Sequence, residues 1–196
     1  MRTLTNGAYK ELYFIADTHF GHENILELCS RPFGDIEEMN NTLIRNWNRK
    51  IKGNDSVYVL GDMFFRCGNA EEILLQLNGK KHLIVGNHDG SWMTKLDAGL
   101  YFESVNTLLE TSVGTVGATL CHYPLVTWRH QSKTYMIHGH IHNDTESDFW
   151  PLLCSNPRIL NAGADINGFE PVTLEELIRN NELFKQEYLK NTPEKT

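Results

Sequence analysis

The stretch Gly86-Asn87-His88-Asp89 constrains this chain more than any other. It follows the apolar run Leu83-Ile84-Val85 and sets an amide, an imidazole and a carboxylate on successive residues where a buried strand should end. By itself it reads as a turn, with Asn or Gly at positive φ and Asp bonding its own backbone. The turn reading loses ground because four other apolar runs end the same way. Residues 12–16 run into Asp17-Thr18-His19, and 57–60 into Gly61-Asp62. Residues 115–121 lead to His122, and 134–137 to His138-Gly139-His140-Ile141-His142. Short apolar runs bounded by turn signals predict fully buried strands.

Helical patterns alternate with the first of these strands. Asp35-Ile36-Glu37-Glu38 has the capping-box spacing, and Met39, Leu43, Ile44 and Trp47 recur at helical intervals, predicting a helix over 36–50. A second helix over 70–77 is closed by Asn78-Gly79. Strand and helix in alternation indicate parallel crossover units and an α/β fold. The pattern then changes. Residues 103–122, broken by Gly114 and Gly117, read as a hairpin, followed by strands at 134–137 and 158–160. The sequence Asn161-Ala162-Gly163 reads as a turn, and a last helix starts at the capping box Thr173-x-x-Glu176. The expectation is one domain over 1–196, frayed at about 1–8 and 191–196.

Bulk properties narrow the function classes. An apolar content of 40% and a formal net charge of -7 describe a globular protein, not one that coats nucleic acid or an anionic membrane. Cys29, Cys67, Cys121 and Cys154 are widely spaced, as in a reduced cytoplasmic protein, and no apolar run approaches the ~20 residues of a membrane span.

Ligands of α/β folds bind beyond the carboxyl ends of the strands. If the five strands lie side by side, Asp17, His19, Asp62, Asn87, His88, His122, His140 and His142 converge there. Alternate residues of an extended chain share a face, so His140 and His142 reach one site while Ile141 turns to the core. Imidazole and oxygen donors without thiolate suit Mn, Fe, Zn, Ni or Co. His22 and Arg31 either face a phosphate or lie on the surface. Arg129, with His130 and Lys133, either holds a phosphate or belongs to a solvated loop. Tyr123, Trp128, Phe20 and Phe64 are stacking surfaces or core. His138 reads as buried and hydrogen-bonded, and His82 as exposed.

In this order, Asp17-x-His19, Gly61-Asp62, Gly86-Asn87-His88-Asp89, His122 and Gly139-His140-x-His142 resemble the calcineurin-like metallophosphoesterase superfamily over residues 12–142. The run Asp17-Thr18-His19-Phe20-Gly21-His22 with Arg31-Pro32-Phe33 is similar to a small bacterial and phage branch of it. The resemblance implies an α/β/β/α sandwich of two mixed sheets. It also implies two divalent ions, one held by Asp17, His19, Asp62 and His142, the other by Asp62, Asn87, His122 and His140. A hydroxide between the ions would attack a phosphoester, and His88 would protonate the leaving oxygen. Asp89 either orients His88 or braces the turn. The serine/threonine protein phosphatases of the superfamily orient this histidine with an Asp three residues after the bridging one. Here that position is Phe65, which favours a small phosphodiester or nucleotide-like substrate over a phosphoprotein. Alternatives are a phosphomonoesterase, a nuclease on short single strands and a non-catalytic metal-binding scaffold.

Overall fold

The computed structural model describes residues 10–191, so the termini expected to fray lie almost wholly outside the described residues. A first sheet has strand order β4-β3-β2-β1-β9, formed by β1 (Leu12–Ile15), β2 (Ser56–Val59), β3 (Lys80–Ile84), β4 (Ser104–Asn106) and β9 (Val172–Thr173). The first four are parallel, and β9 is antiparallel to β1. A second sheet, β5-β6-β7-β8, contains β5 (Leu108–Val113), β6 (Val116–Cys121), β7 (Tyr135–His138) and β8 (Ile159–Asn161). There β5 is antiparallel to β6, and the other pairs are parallel.

Two-residue alternation assigns each side chain to a layer. Phe14, Leu60, Ile84 and Val172 of the first sheet meet Ala118, Leu120, Ile137 and Leu160 of the second in one core. Tyr13, Ile15, Val57, Val59 and Leu83 point the other way. They pack against Met39, Leu43 and Trp47 of α2 (Ile36–Lys50) and Ile73 and Leu74 of α3 (Ala70–Gln76). Outside the second sheet, Cys121, Met136 and Ile159 meet Trp150, Leu153 and Cys154 of α5 (Trp150–Ser155), with Phe184 from α6 (Leu174–Asn191). The result is four layers, α/β/β/α, as the resemblance implied.

Both long capped helices begin where expected. The Asp35 carboxylate accepts the Glu38 N–H at 2.8 Å, but Glu38 reaches back to the N–H of Gly34, one residue before the cap. At α6 the box is reciprocal, Thr173 N–H to Glu176 at 2.9 Å and Glu176 N–H to Thr173 Oγ1 at 3.3 Å. Two readings need correction. The stretch 103–122 is not a single hairpin, because Ser104–Asn106 joins the first sheet and only β5 and β6 pair as a hairpin. No Gly or Pro marks the change of sheet at Thr107, so the alternation reads as one strand. Asn161 belongs to β8, and Ala162 and Gly163 stitch the two sheets through Ala16: Ala16 N–H to Ala162 O at 2.8 Å and Ala164 N–H to Ala16 O at 2.9 Å. The short helices α1 (Ile25–Leu28), α4 (Gly90–Met93) and α5 are too brief to show a period. Among the described residues no helix is long and apolar enough to cross a membrane.

Candidate active site

The polar residues that end β1, β2, β3, β6 and β7 gather at one edge of the sandwich. Their backbone turns sharply there. Asp17, His19, Asp62, His140 and His142 all have φ between 50° and 73°, a left-handed conformation that non-glycine residues rarely adopt. Such strain persists only where the surroundings enforce it, and it concentrates at functional sites. Here the loops enforce one another: Asp17 N–H bonds Gly61 O at 3.0 Å and His19 N–H bonds Asp62 O at 3.0 Å. Gly86 permits this approach, since a Cβ there would lie 2.3 Å from Asp62 Oδ1.

The donors form two poles. At the first, Asp17, His19 and His142 place ligand-capable atoms within 4.8 Å of one another. Asp17 is fully buried and both its oxygens accept the His140 N–H, at 3.0 and 2.9 Å. Burial raises its carboxyl to about 6, against the pull of His142 and His122. His19 is pushed down to about 2, chiefly by burial, and so stays neutral. Its Nε2 is buried with no hydrogen-bond partner, 3.8 Å from Asp62 Oδ2. His142 donates Nδ1–H to Asp165 Oδ2 at 2.9 Å. Burial opposes charge on that ring, but its bonds to Asp165 and Cys29 and the nearby Asp17 raise it to about 10.

At the second pole, Asp62, His122 and His140 are equally close. His122 Nδ1 lies 2.8 Å from Leu60 O, which can only accept, so the proton sits on Nδ1. Nε2 lies 3.0 Å from Asn87 Oδ1 and 3.4 Å from Asp62 Oδ2. Asp62 Oδ1 accepts the His88 N–H at 2.8 Å, leaving Oδ2 between the poles. Burial opposes ionisation of Asp62, but His122 and the His88 amide hold it down to about 2. Asn87 and His140 are exposed, so this pole is the open one.

His88 lies beside both poles, its Nε2 3.9 Å from Asp62 Oδ2 and its side chain 39% exposed. The Phe65 ring meets it edge-on at 5.0 Å, and His22 packs on Phe65 at 4.0 Å. His22 therefore sits at the rim. Asp89 does not orient His88. It is fully buried and accepts from the N–H groups of Asp62, Met63 and Gly86 and from Trp92 Nε1, so it braces the turn.

Two basic candidates lie elsewhere. Arg31 is buried beneath the first pole and paired with Asp165 at 2.8 Å, because its fork of donors finds a carboxylate and two carbonyls there. Arg129 is exposed and paired with Glu110 of β5 at 3.1 Å. Phe20 and Phe64 are core, Trp128 is buried, and Tyr123 is the exposed aromatic, its ring edge-on to His140 at 4.6 Å. His138 is buried with Nδ1 on Gly139 O, and His82 is half-buried against Ser104 and Tyr58, not exposed. The reading of the strand ends missed Asp165 and also Asn161, whose Nδ2 holds His142 O at 2.7 Å. Neither residue ends an apolar run in Asp or His.

The geometry brings imidazole nitrogens, carboxylate oxygens and an amide oxygen together at one edge of the sandwich. That set fits divalent cations of borderline softness. Comparison with known proteins agrees. The chain is 32% identical over 173 residues to protein MJ1445 of Methanocaldococcus jannaschii, covering 87% of this chain and 90% of the relative. It is 30% identical to the gene 66 protein of Mycobacterium phage L5, over 67% of this chain and 77% of that one. The crystal structure of AQ665 from Aquifex aeolicus superposes with a TM-score of 0.68 at 25% identity, covering 87% of this chain and 99% of that one. The calcineurin-like phosphoesterase profile matches residues 11–192, and the chain belongs to that family of metal-dependent phosphoester hydrolases.

Proposed function

We propose that this chain hydrolyses a small phosphodiester or nucleotide-like phosphoester, using two divalent cations. Asp17, His19, Asp62 and His142 would hold one, and Asp62, Asn87, His122 and His140 the other. The observation that carries this reading is the meeting of ring nitrogens around Asp62 Oδ2: His122 Nε2 at 3.4 Å and the buried, unpartnered His19 Nε2 at 3.8 Å. When bound, divalent cations supply a water acidified to act as nucleophile near neutral pH and positive charge for the phosphoryl oxygens.

The protein groups then divide the remaining work. Asp62, ionised and pinned through Oδ1 by the His88 amide, is the one carboxylate between the poles. His88 is close enough to the centre to share the substrate and open enough to meet it, and it gives its proton to the leaving oxygen. Arg31 is enclosed and paired with Asp165, so it does not reach out to neutralise the second charge of a phosphomonoester, which favours a singly charged diester. Exposed Tyr123 at the rim offers a face for a planar group such as a nucleobase.

The test is hydrolysis of bis-p-nitrophenyl phosphate and p-nitrophenyl phosphate by metal-stripped protein reloaded with Mn, Ni, Zn or Mg. The diester should turn over faster and only with metal. His88→Ala should lower that rate by ~10²–10⁴-fold while metal stays bound. Faster turnover of the monoester would overturn the diester reading. No turnover with any metal, despite two ions bound, would overturn the catalytic one.

A further inference from the structure

The first pole is tied to a pair of residues that lie outside every strand end. Arg31 and Asp165 are almost completely enclosed, their side chains 0% and 2% exposed. The guanidinium uses its fork fully: Nε to Asp165 Oδ1 at 2.8 Å, Nη2 to Asp165 Oδ2 at 3.0 Å and to Asp17 O at 2.7 Å, and Nη1 to Thr18 O at 3.0 Å. Asp165 Oδ2 also accepts Nδ1–H from His142. An unbroken path of hydrogen bonds thus runs from the backbone of Asp17, through Arg31 and Asp165, to the ring of His142. It joins the two ends of one pole, 125 residues apart in sequence (142 minus 17).

We propose that Asp165 and Arg31 are positioning residues that set the cation affinity of the Asp17/His19/His142 pole and leave the other pole unaffected. The proposal deepens the two-cation reading and rests on it. Asp165 holds the proton of His142 on Nδ1 and the ring in one orientation, so Nε2 is the nitrogen that a cation meets. Arg31 holds the carbonyls of Asp17 and Thr18, and with them the left-handed turn that aims the Asp17 carboxylate. A lysine cannot replace it, because one ammonium cannot reach two carbonyls and both carboxylate oxygens in a plane. At the second pole a backbone carbonyl, that of Leu60, does for His122 what Asp165 does for His142.

Titration of metal-free protein with Co(II), followed by calorimetry and visible absorption, tests this in two backgrounds. In His140→Ala, where the first pole is complete, adding Asp165→Ala should weaken binding by ~10–100-fold, and adding Asp165→Asn, which keeps an acceptor oxygen, by less. In His142→Ala, where the second pole is complete, neither addition should change the affinity. Equal weakening in both backgrounds would show a merely structural residue and overturn the proposal, as would no weakening in either. Where Asp165→Ala fails to fold, Asp165→Asn and Arg31→Lys carry the same comparison. If wild type takes up fewer than two equivalents, the two-cation reading itself fails. The clamp is then judged by NMR of the metal-free protein: a His142 Nδ1–H that is protected from exchange in wild type, lost in Asp165→Ala and less protected in Asp165→Asn and Arg31→Lys supports it, and one that exchanges freely in wild type overturns it.

Discussion

The two poles of the site use the same residue types and are built differently. The first is enclosed: Asp17 and His19 are buried, and His142 leans on an Arg–Asp pair without solvent. The second opens outward, with Asn87 and His140 exposed and His122 anchored by a main-chain carbonyl. Main-chain anchoring comes with the fold, since the end of β2 places Leu60 O wherever the sheet forms. Side-chain anchoring has to be encoded separately, in residues distant from the strand ends in sequence. One pole is therefore a product of topology, and the other also of a buried electrostatic network.

Changes that break this comparison can be ordered by expected size. Asp62→Asn touches both poles at once, and turnover should fall by at least ~10³-fold, the scale of losing a group that stabilises the transition state. Loss confined to one cation would show that Asp62 does not lie between the poles. Next is Arg31→Met, which leaves Asp165 buried and unpaired except for His142. It should cost about 3–5 kcal/mol of stability in chemical denaturation, and a loss under 1 kcal/mol would mean that the pair is not enclosed. A milder probe sharpens the contrast without mutation. Chelator added to loaded protein should remove metal in two phases, the faster from the open pole, and His140→Ala should abolish the fast phase. At the small end, Asp35→Ala removes the α2 cap far from both poles, should cost about 1 kcal/mol, and should leave turnover unchanged.

What the sequence disclosed follows the same division. The second pole was legible because polar residues ending apolar runs contradict the strand pattern, and such contradictions mark functional sites. The α/β class followed from alternation, and the four layers from the family resemblance; the strand order came only with the structure. The supports of the first pole were not legible. Asp165 lies in a short turn, Ala164–Ile166, where one acid is unremarkable, and its partners at 31 and 142 are distant in sequence. Arg31 stands out as a cation, but charge in a sequence says nothing of burial, and the sequence alone places it facing a phosphate or on the surface, not in the enclosed pair with Asp165. The Asp89 carboxylate was the same problem in reverse. Its four donors are visible only once the turn has folded.

The central claim is that each pole holds one cation independently. Its most direct test is the metal content of wild type, His142→Ala and His140→Ala after loading and desalting, measured by elemental mass spectrometry with circular dichroism to check folding. The account predicts two equivalents in wild type and one in each variant. One equivalent in folded wild type, or loss of both from either folded variant, would contradict it.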